Sequence, residues 1–293
     1  MSSVKSQAPV SSRQHAGHVS KFLFNRWAPI VFLFLLSIIV LAPIAWTIST
    51  SFRTGAESFS LPPKWIPTEP KLDSYHEAFD TVPITRQLLN SAIITSSIVL
   101  GQLATASLAG YAFARLEFKG RDTLFWIILA TMMIPIQAVI IPVFILIKHM
   151  GLVDTLWSLI LPALPTAFGT FLLRQYFLTI PIELEESALI DGANQWQIFF
   201  RVYLPLVKPG LAVLSVLSFN FHWNEFFRPI VFLFSDDQFP ITLGIFDLKG
   251  YMGTKGISVV LAGVVLSLIP VVLIYIIGQR YLIEGIMRGA IKG

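Results

Sequence analysis

No cysteine occurs among the 293 residues, which excludes disulfides, thiol nucleophiles, cysteine zinc sites and iron–sulfur clusters. Charge is scarce as well. Only 13% of the chain is Asp, Glu, Lys or Arg, against roughly 25% in a water-soluble globule. There is no G-x-x-x-x-G-K-[ST] loop to cradle nucleotide phosphates, no H-E-x-x-H pair and no G-x-S-x-G elbow. The histidines stand at 15, 18, 76, 149 and 222; His222 and Glu225 share a helix spacing, but two ligands do not make a metal site. The chain is expected to be non-catalytic, to hold no metal and to bind no cofactor of its own.

What is present is apolar. Hydrophobic residues make up 55% of the chain and mean hydropathy is +0.72. A charge at the centre of a spanning helix costs about 2.5–3.5 kcal/mol, so charge-free runs mark the spans. Five are long enough to cross a bilayer: 27–51, 87–114, 123–147, 155–173 and 256–279. A sixth, 209–234, carries Glu225 and Arg228 near one end. The expected fold class is an all-α polytopic membrane protein of six transmembrane helices, 27–293, preceded by a polar, serine-rich tail over 1–26 for which disorder is expected. The first run exceeds a 7–15-residue signal core and no persuasive small-residue cleavage site follows it, so it is read as a retained span.

Six spans put both termini on one side. With the N-terminus cytoplasmic, the inner segments hold 13 of the 21 Lys+Arg and 7 of the 17 Asp+Glu, the distribution the positive-inside rule favours. The net charge of +4 therefore reads as a topology signal rather than a nucleic-acid footprint. The outer segment 52–86 is broken by five prolines and allows one short helix near Asp73–Phe79. Arg115–Asp122 reads as a tight inner turn.

The longest inner connection is 174–208. Pro181 suits a first helical turn, Glu183, Glu185 and Glu186 complement its dipole, and Asp191-Gly192 supplies a stop. Asn194 is a good N-cap with Gln197 three residues on, and Trp196, Phe199, Phe200 and Tyr203 then predict one aromatic stripe at helical spacing. The result is helix, glycine turn, helix on the cytoplasmic face. Two readings stand: an interfacial amphipathic helix, or a docking element for a cytoplasmic partner.

The run EESALIDGANQWQIFFRVYLPLVKP resembles the EAA loop of ABC-importer membrane subunits, E-A-A, three residues, G, nine residues, I-x-L-P. The matching positions are Glu186, Ser187, Ala188, Gly192, Val202, Leu204 and Pro205. Ser187 replaces the usual second-position Ala, and Val202 the Ile. The segments NSAIITSS, LAGYAFARLEFKGRD, MIPIQAVIIPVF, WNEFFRPIVFL and RYLIEGIMRGAIKG are similar to the carbohydrate-uptake branch, in particular the smaller, six-span subunit of maltose-type importers.

That resemblance implies a permease in a bacterial or archaeal plasma membrane, paired with a second, homologous permease subunit as a heterodimer. It implies two ABC ATPase subunits that hold ATP and Mg, an extracytoplasmic solute-binding protein, surrounding lipid and no nucleic acid. The region 181–205 becomes the coupling element, with Glu186, Ser187, Ala188, Asp191, Gly192, Ala193, Leu204 and Pro205 as its ATPase-coupling residues. Asn220, Trp223 and Asn224 would offer hydrogen bonds and a stacking face to a sugar; their plainer reading is glue between helices. Gly250, Tyr251 and Gly253 lie in a pliable outer loop that, by resemblance, enters the binding protein's cleft; otherwise it is a plain connection. Pro135 and Pro142 are expected to bend the third span, as a gate or as an ordinary kink. The basic C-terminal GIMRGAIKG either reaches the ATPase pair or anchors the inner side. The alternative function is an ion-gradient-driven secondary transporter or channel subunit, which should carry ionisable groups at mid-membrane.

Overall fold

The computed structural model describes residues 13–58, 65–250 and 256–290, all helical or irregular, with no strand among them. Three helices are long and apolar enough to cross a membrane: Pro29–Ser51, within α1 (Arg13–Ser51); α4 (Ile84–Arg115); and Ile257–Tyr281, within α15 (Ile257–Ala290). They correspond to the runs 27–51, 87–114 and 256–279.

The other three runs are interrupted, two of them at prolines. The third splits into α5 (Arg121–Thr131) and α6 (Ile136–His149), bent by 101°. The break precedes Pro135, which has no N–H and restricts the residue before it; Pro142, by contrast, is accommodated inside α6. The fourth run divides at Pro165 into α7 (Trp157–Ala163) and α8 (Ala167–Leu178), where the Thr166 side chain caps α8 by accepting from the Gly169 N–H at 3.1 Å. The fifth forms α12 (Lys208–Trp223) and, after a break at Asn224–Phe226, α13 (Phe227–Phe232). Among the described residues, three helices reach spanning length and composition, five if the α5–α6 pair and the pair Gln195–Leu206 with Lys208–Trp223, bent by 72°, each count as one span.

Between these lie α2 (Gly55–Ser58), α3 (Asp73–Thr81), the connection α9 (Glu183–Ile190) with α10 (Gln195–Gln197) and α11 (Leu204–Leu206), and α14 (Ile241–Asp247). The bundle is organised on α4, which packs against α8, α12, α7 and α14; α15 closes it against α1, α3 and α12. α4 is patterned for lipid: Gln87, Asn90, Ser91, Thr95, Gln102 and Ser107 are buried, whereas Leu89, Ile93 and Leu100 are exposed. Polar groups inside and apolar groups outside are what a helix needs when its solvent is hydrocarbon and helix contacts rely on small and polar side chains.

Candidate functional site

α9 ends in a Schellman motif. Gly192 takes a left-handed φ of +81°, its N–H donates to Leu189 O at 3.0 Å and the Ala193 N–H to Ala188 O at 2.9 Å. The i→i−5 bond and the contact it makes explain why small residues stand at 188 and 193: both pack against the inner core beneath the turn. Asn194 then starts the second helix with a reciprocal capping box. Its Oδ1 accepts from the Gln197 N–H, and Gln197 Oε1 accepts from the Asn194 N–H, each at 2.9 Å.

The second helix is composite. Between α10 and α11, Ile198–Tyr203 is a π-helix, and the Leu204 N–H reaches back to Phe199 O. The wide turn directly precedes Pro205, which has no N–H to continue an α ladder. This overturns the single aromatic stripe. A π turn takes more residues than an α turn, so the four rings divide: Phe199 and Tyr203 are buried beside Tyr111 of α4 and Phe177 of α8, with centroids 5.2–6.4 Å apart. Trp196 and Phe200 stack on each other at 6.2 Å, exposed. Of the named coupling residues, Glu186, Ser187, Asp191, Gly192 and Pro205 are exposed, and Ala188, Ala193 and Leu204 are half-buried. Sequence reasoning missed Glu185, the one buried side chain of α9; a carboxylate in a first turn looks like an ordinary dipole partner.

The three polar residues of the fifth run do not share a face. Asn220 and Asn224 are exposed, and Asn224 Nδ2 donates to Asn220 O at 2.8 Å. Trp223 is 3% exposed, stacks on Phe219 at 5.3 Å and gives its indole N–H to Ser267 O of α15 at 3.1 Å. Its ring is thus committed to helix packing, which corrects its grouping with the two asparagines.

Glu225 lies just beyond the end of α12, which stops at Trp223. The Glu225 side chain, 14% exposed, folds back between His222 and Arg228, which are 7% and 6% exposed. Arg228 binds the carboxylate through Nε and Nη2, and its Nη1 donates to Leu159 O of α7 at 2.9 Å. The network continues inward. His222 Nε2 lies 3.1 Å from Nε2 of Gln102, which also donates to Ala163 O at 2.8 Å and accepts from the Ser218 hydroxyl at 2.8 Å. The arrangement is a cross-brace among α4, α7, α12 and α13. No group of three metal-ligating side chains is found among the described residues.

The stretch that leads into the glycine-bearing loop is tied to α4. The Ile241 N–H is held by Ser91 Oγ at 2.8 Å, and Asn90 Nδ2 donates to Asp237 O and Phe239 O at 2.9 and 3.0 Å, fixing α14 to α4. Gly250 has φ +68°; Tyr251 and Gly253 lie outside the described residues, as do residues 1–12 of the tail and the last three residues.

Residues 88–287 match the family model described as a binding-protein-dependent transport system inner membrane component. The chain is 39% identical over 204 residues to the arabinooligosaccharides transport system permease protein AraQ of Halalkalibacterium halodurans, covering 70% of this chain and 73% of that one. It is 32% identical over 259 residues to the sn-glycerol-3-phosphate transport system permease protein UgpE of Escherichia coli, covering 85% and 91%. In three dimensions it resembles a chain in the crystal structure of a bacterial ABC transporter involved in the import of the acidic polysaccharide alginate, with TM-score 0.77, 28% identity, and 94% and 99% of the two chains covered.

Proposed function

The chain belongs to the family of binding-protein-dependent transport system inner membrane components, and from that premise we propose that it is the non-catalytic permease subunit of an ATP-driven importer for a sugar, an oligosaccharide or a related polyol. It forms half of the translocation path, with a similar but different subunit forming the other half. An extracytoplasmic binding protein delivers solute, and two separate ATPase subunits supply the energy. The interrupted third, fourth and fifth runs each cross once, giving six spans with both termini cytoplasmic.

The observation that carries the coupling role is the exposed helix–turn–helix. Leu189 and Ile190 are 48% and 87% exposed beside Glu186 and Asp191, and the turn is fixed by its caps at both ends. An apolar tip ringed by carboxylates on a stiff lever suits insertion into a cleft of another protein, where a basic side chain pairs with the acids. Asn220, exposed on α12, and Asn224, exposed just past its end, offer amides to a polar solute; Gly250, Tyr251 and Gly253 meet the binding protein.

Because the chain has no cysteine, a thiol introduced anywhere is unique. Single cysteines along 187–194 are expected to crosslink to the ATPase in the assembled, transporting complex. Failure of all of them in an active complex would overturn the coupling assignment. Solute uptake by the purified chain without ATP would instead favour an ion-gradient-driven carrier.

A further inference from the structure

α9 is inverted for a surface helix. Glu185 is its one buried side chain, 7% exposed, while Leu184, Leu189 and Ile190 stay outside. A carboxylate is buried at a cost unless something satisfies it. Here the Tyr203 hydroxyl donates to Glu185 Oε2 at 2.5 Å, and the Tyr203 side chain is itself fully buried.

Tyr203 is in turn gripped by α4. Its ring lies 5.3 Å from that of Tyr111, and the Arg115 guanidinium sits 4.9 Å from its centroid. The Tyr111 hydroxyl donates to Gln195 Oε1 at 2.7 Å. Two hydrogen bonds therefore stand in series: Glu185 to Tyr203 ties α9 to the composite helix, and Gln195 to Tyr111 ties the composite helix to α4. Apolar contact alone holds surfaces together without fixing their register, because it is non-directional; hydrogen bonds fix distance and angle.

We propose that Glu185, Tyr203, Gln195 and Tyr111 form a positioning strap that delivers displacement of α9 to α4. This rests on the reading of 181–205 as the ATPase-coupling element. Beyond α4 the path is already built. Gln102 holds the Ala163 carbonyl, the Ser218 hydroxyl and the His222 ring, so a shift of α4 bears on the fourth and fifth runs together. The strap's hydrogen bonds run from α9 toward α4 rather than to Leu189 and Ile190, and its effect is on transmission rather than on docking.

The test uses the complete reconstituted transporter, scored as solute taken up per ATP hydrolysed, with the Ser187→Cys crosslink to the ATPase read in parallel. Tyr203→Phe removes a single oxygen and Glu185→Leu removes the acceptor. Both are expected to keep the crosslink and lower uptake per ATP about five-fold or more, the lower end of typical coupling between sites. Glu185→Gln keeps an acceptor and is expected to restore most of the ratio. If Glu185→Leu fails to assemble, Tyr111→Phe, at the other bond, decides. A wild-type ratio in Tyr203→Phe and in whichever partner variant assembles, with the crosslink intact, overturns the strap. So does a parallel fall of uptake and hydrolysis that leaves the ratio unchanged. Loss of the crosslink in the otherwise unmodified, active chain would instead sink the coupling reading itself.

Discussion

Arg115 and Arg174 clasp the same helix pair, each reaching a backbone carbonyl on the other's helix. Arg115, at the end of α4, donates from Nη2 to Phe177 O at 2.6 Å and to Ile180 O; Arg174, on α8, donates from Nε to Phe113 O at 3.2 Å and lies 4.2 Å from the Phe125 ring centroid. The last carbonyls of a helix have no donor within it, and a cation there also complements the negative end of the dipole.

Arg115→Met is therefore expected to strand the Ile180 carbonyl and to leave the Phe177 carbonyl with backbone donors such as the Ile180 N–H, at a cost of about 1–3 kcal/mol where water does not reach the stranded group. Arg115→Lys should recover only part, since an ammonium lacks the planar fork. Thermal unfolding of the purified complex, followed by intrinsic fluorescence, should show the midpoint falling in that order. An unchanged midpoint in Arg115→Met would mean the clasp contributes nothing.

Gly110 lets α4 lie close against α8. A Cβ there would stand 3.0 Å from the backbone nitrogen of Arg174 and 3.1 Å from Leu173 Cβ; backbone cannot move aside cheaply. Gly110→Ala should destabilise by about 1–3 kcal/mol, in the range of overpacked cores, and Gly110→Leu should block assembly. A variant Gly110→Leu that assembles at wild-type yield would contradict this packing.

Much of the architecture was legible because hydrophobic runs report burial in lipid directly. Gly192 and Asn194 announced the turn and the cap, and the structure has both. The bend in the third run was announced by Pro135, although Pro142 is accommodated within α6; the breaks in the fourth and fifth were not visible, because hydropathy averages over Pro165 and the Asn224–Phe226 interruption without noting that the ladder stops there. The aromatic stripe failed for a different reason: spacing rules assume an α-helix, and Ile198–Tyr203 is not one. Glu185 and Trp223 were misread because burial of a carboxylate, or of an indole donating to Ser267 O, is decided by a partner far away in sequence.

Glu225 and Arg228 test whether the cross-brace is a pair or two separate contacts. Removing one partner leaves the other buried and uncompensated, so Arg228→Met and Glu225→Gln should each destabilise strongly, by about 3–5 kcal/mol for the worse of the two. The double variant should recover part of that loss, a coupling that a double-mutant cycle on the complex's unfolding midpoint would read. Strict additivity would show that the pair does not act as a unit.

Gly192 has φ +81°, and a methyl group added at its Cα would meet nothing within 4 Å. Gly192→Ala thus meets only conformational strain, about 1–2 kcal/mol for a left-handed L-residue, and should transport at a reduced level. Proline cannot adopt a positive φ, so Gly192→Pro is expected to abolish uptake while leaving membrane insertion intact. Glu186→Lys, with its side chain exposed, should do the same by repelling a basic partner. Normal uptake by either of the last two would count against the lever.

Asp154 joins the loop before α7 to the segment after α13. It holds a left-handed φ of +62°, its N–H donates to Phe232 O at 2.9 Å, and its carboxylate accepts from the Phe234 and Ser235 N–H groups at 2.8 and 2.9 Å and from the Ser235 hydroxyl. The hydroxyl first, then the two backbone donors, hold its pKa below the usual carboxylate value. A group lowered on folding stabilises above its unfolded pKa, about 3.9, and loses that contribution as pH falls through the folded value. Hydrogen-exchange protection at Phe234 and Ser235, corrected for intrinsic rates, should be flat from neutral pH down to about 5 and drop below about 4. In Asp154→Ala it should be low throughout and lack that drop; the same acid transition in the alanine variant would assign the titration to another group.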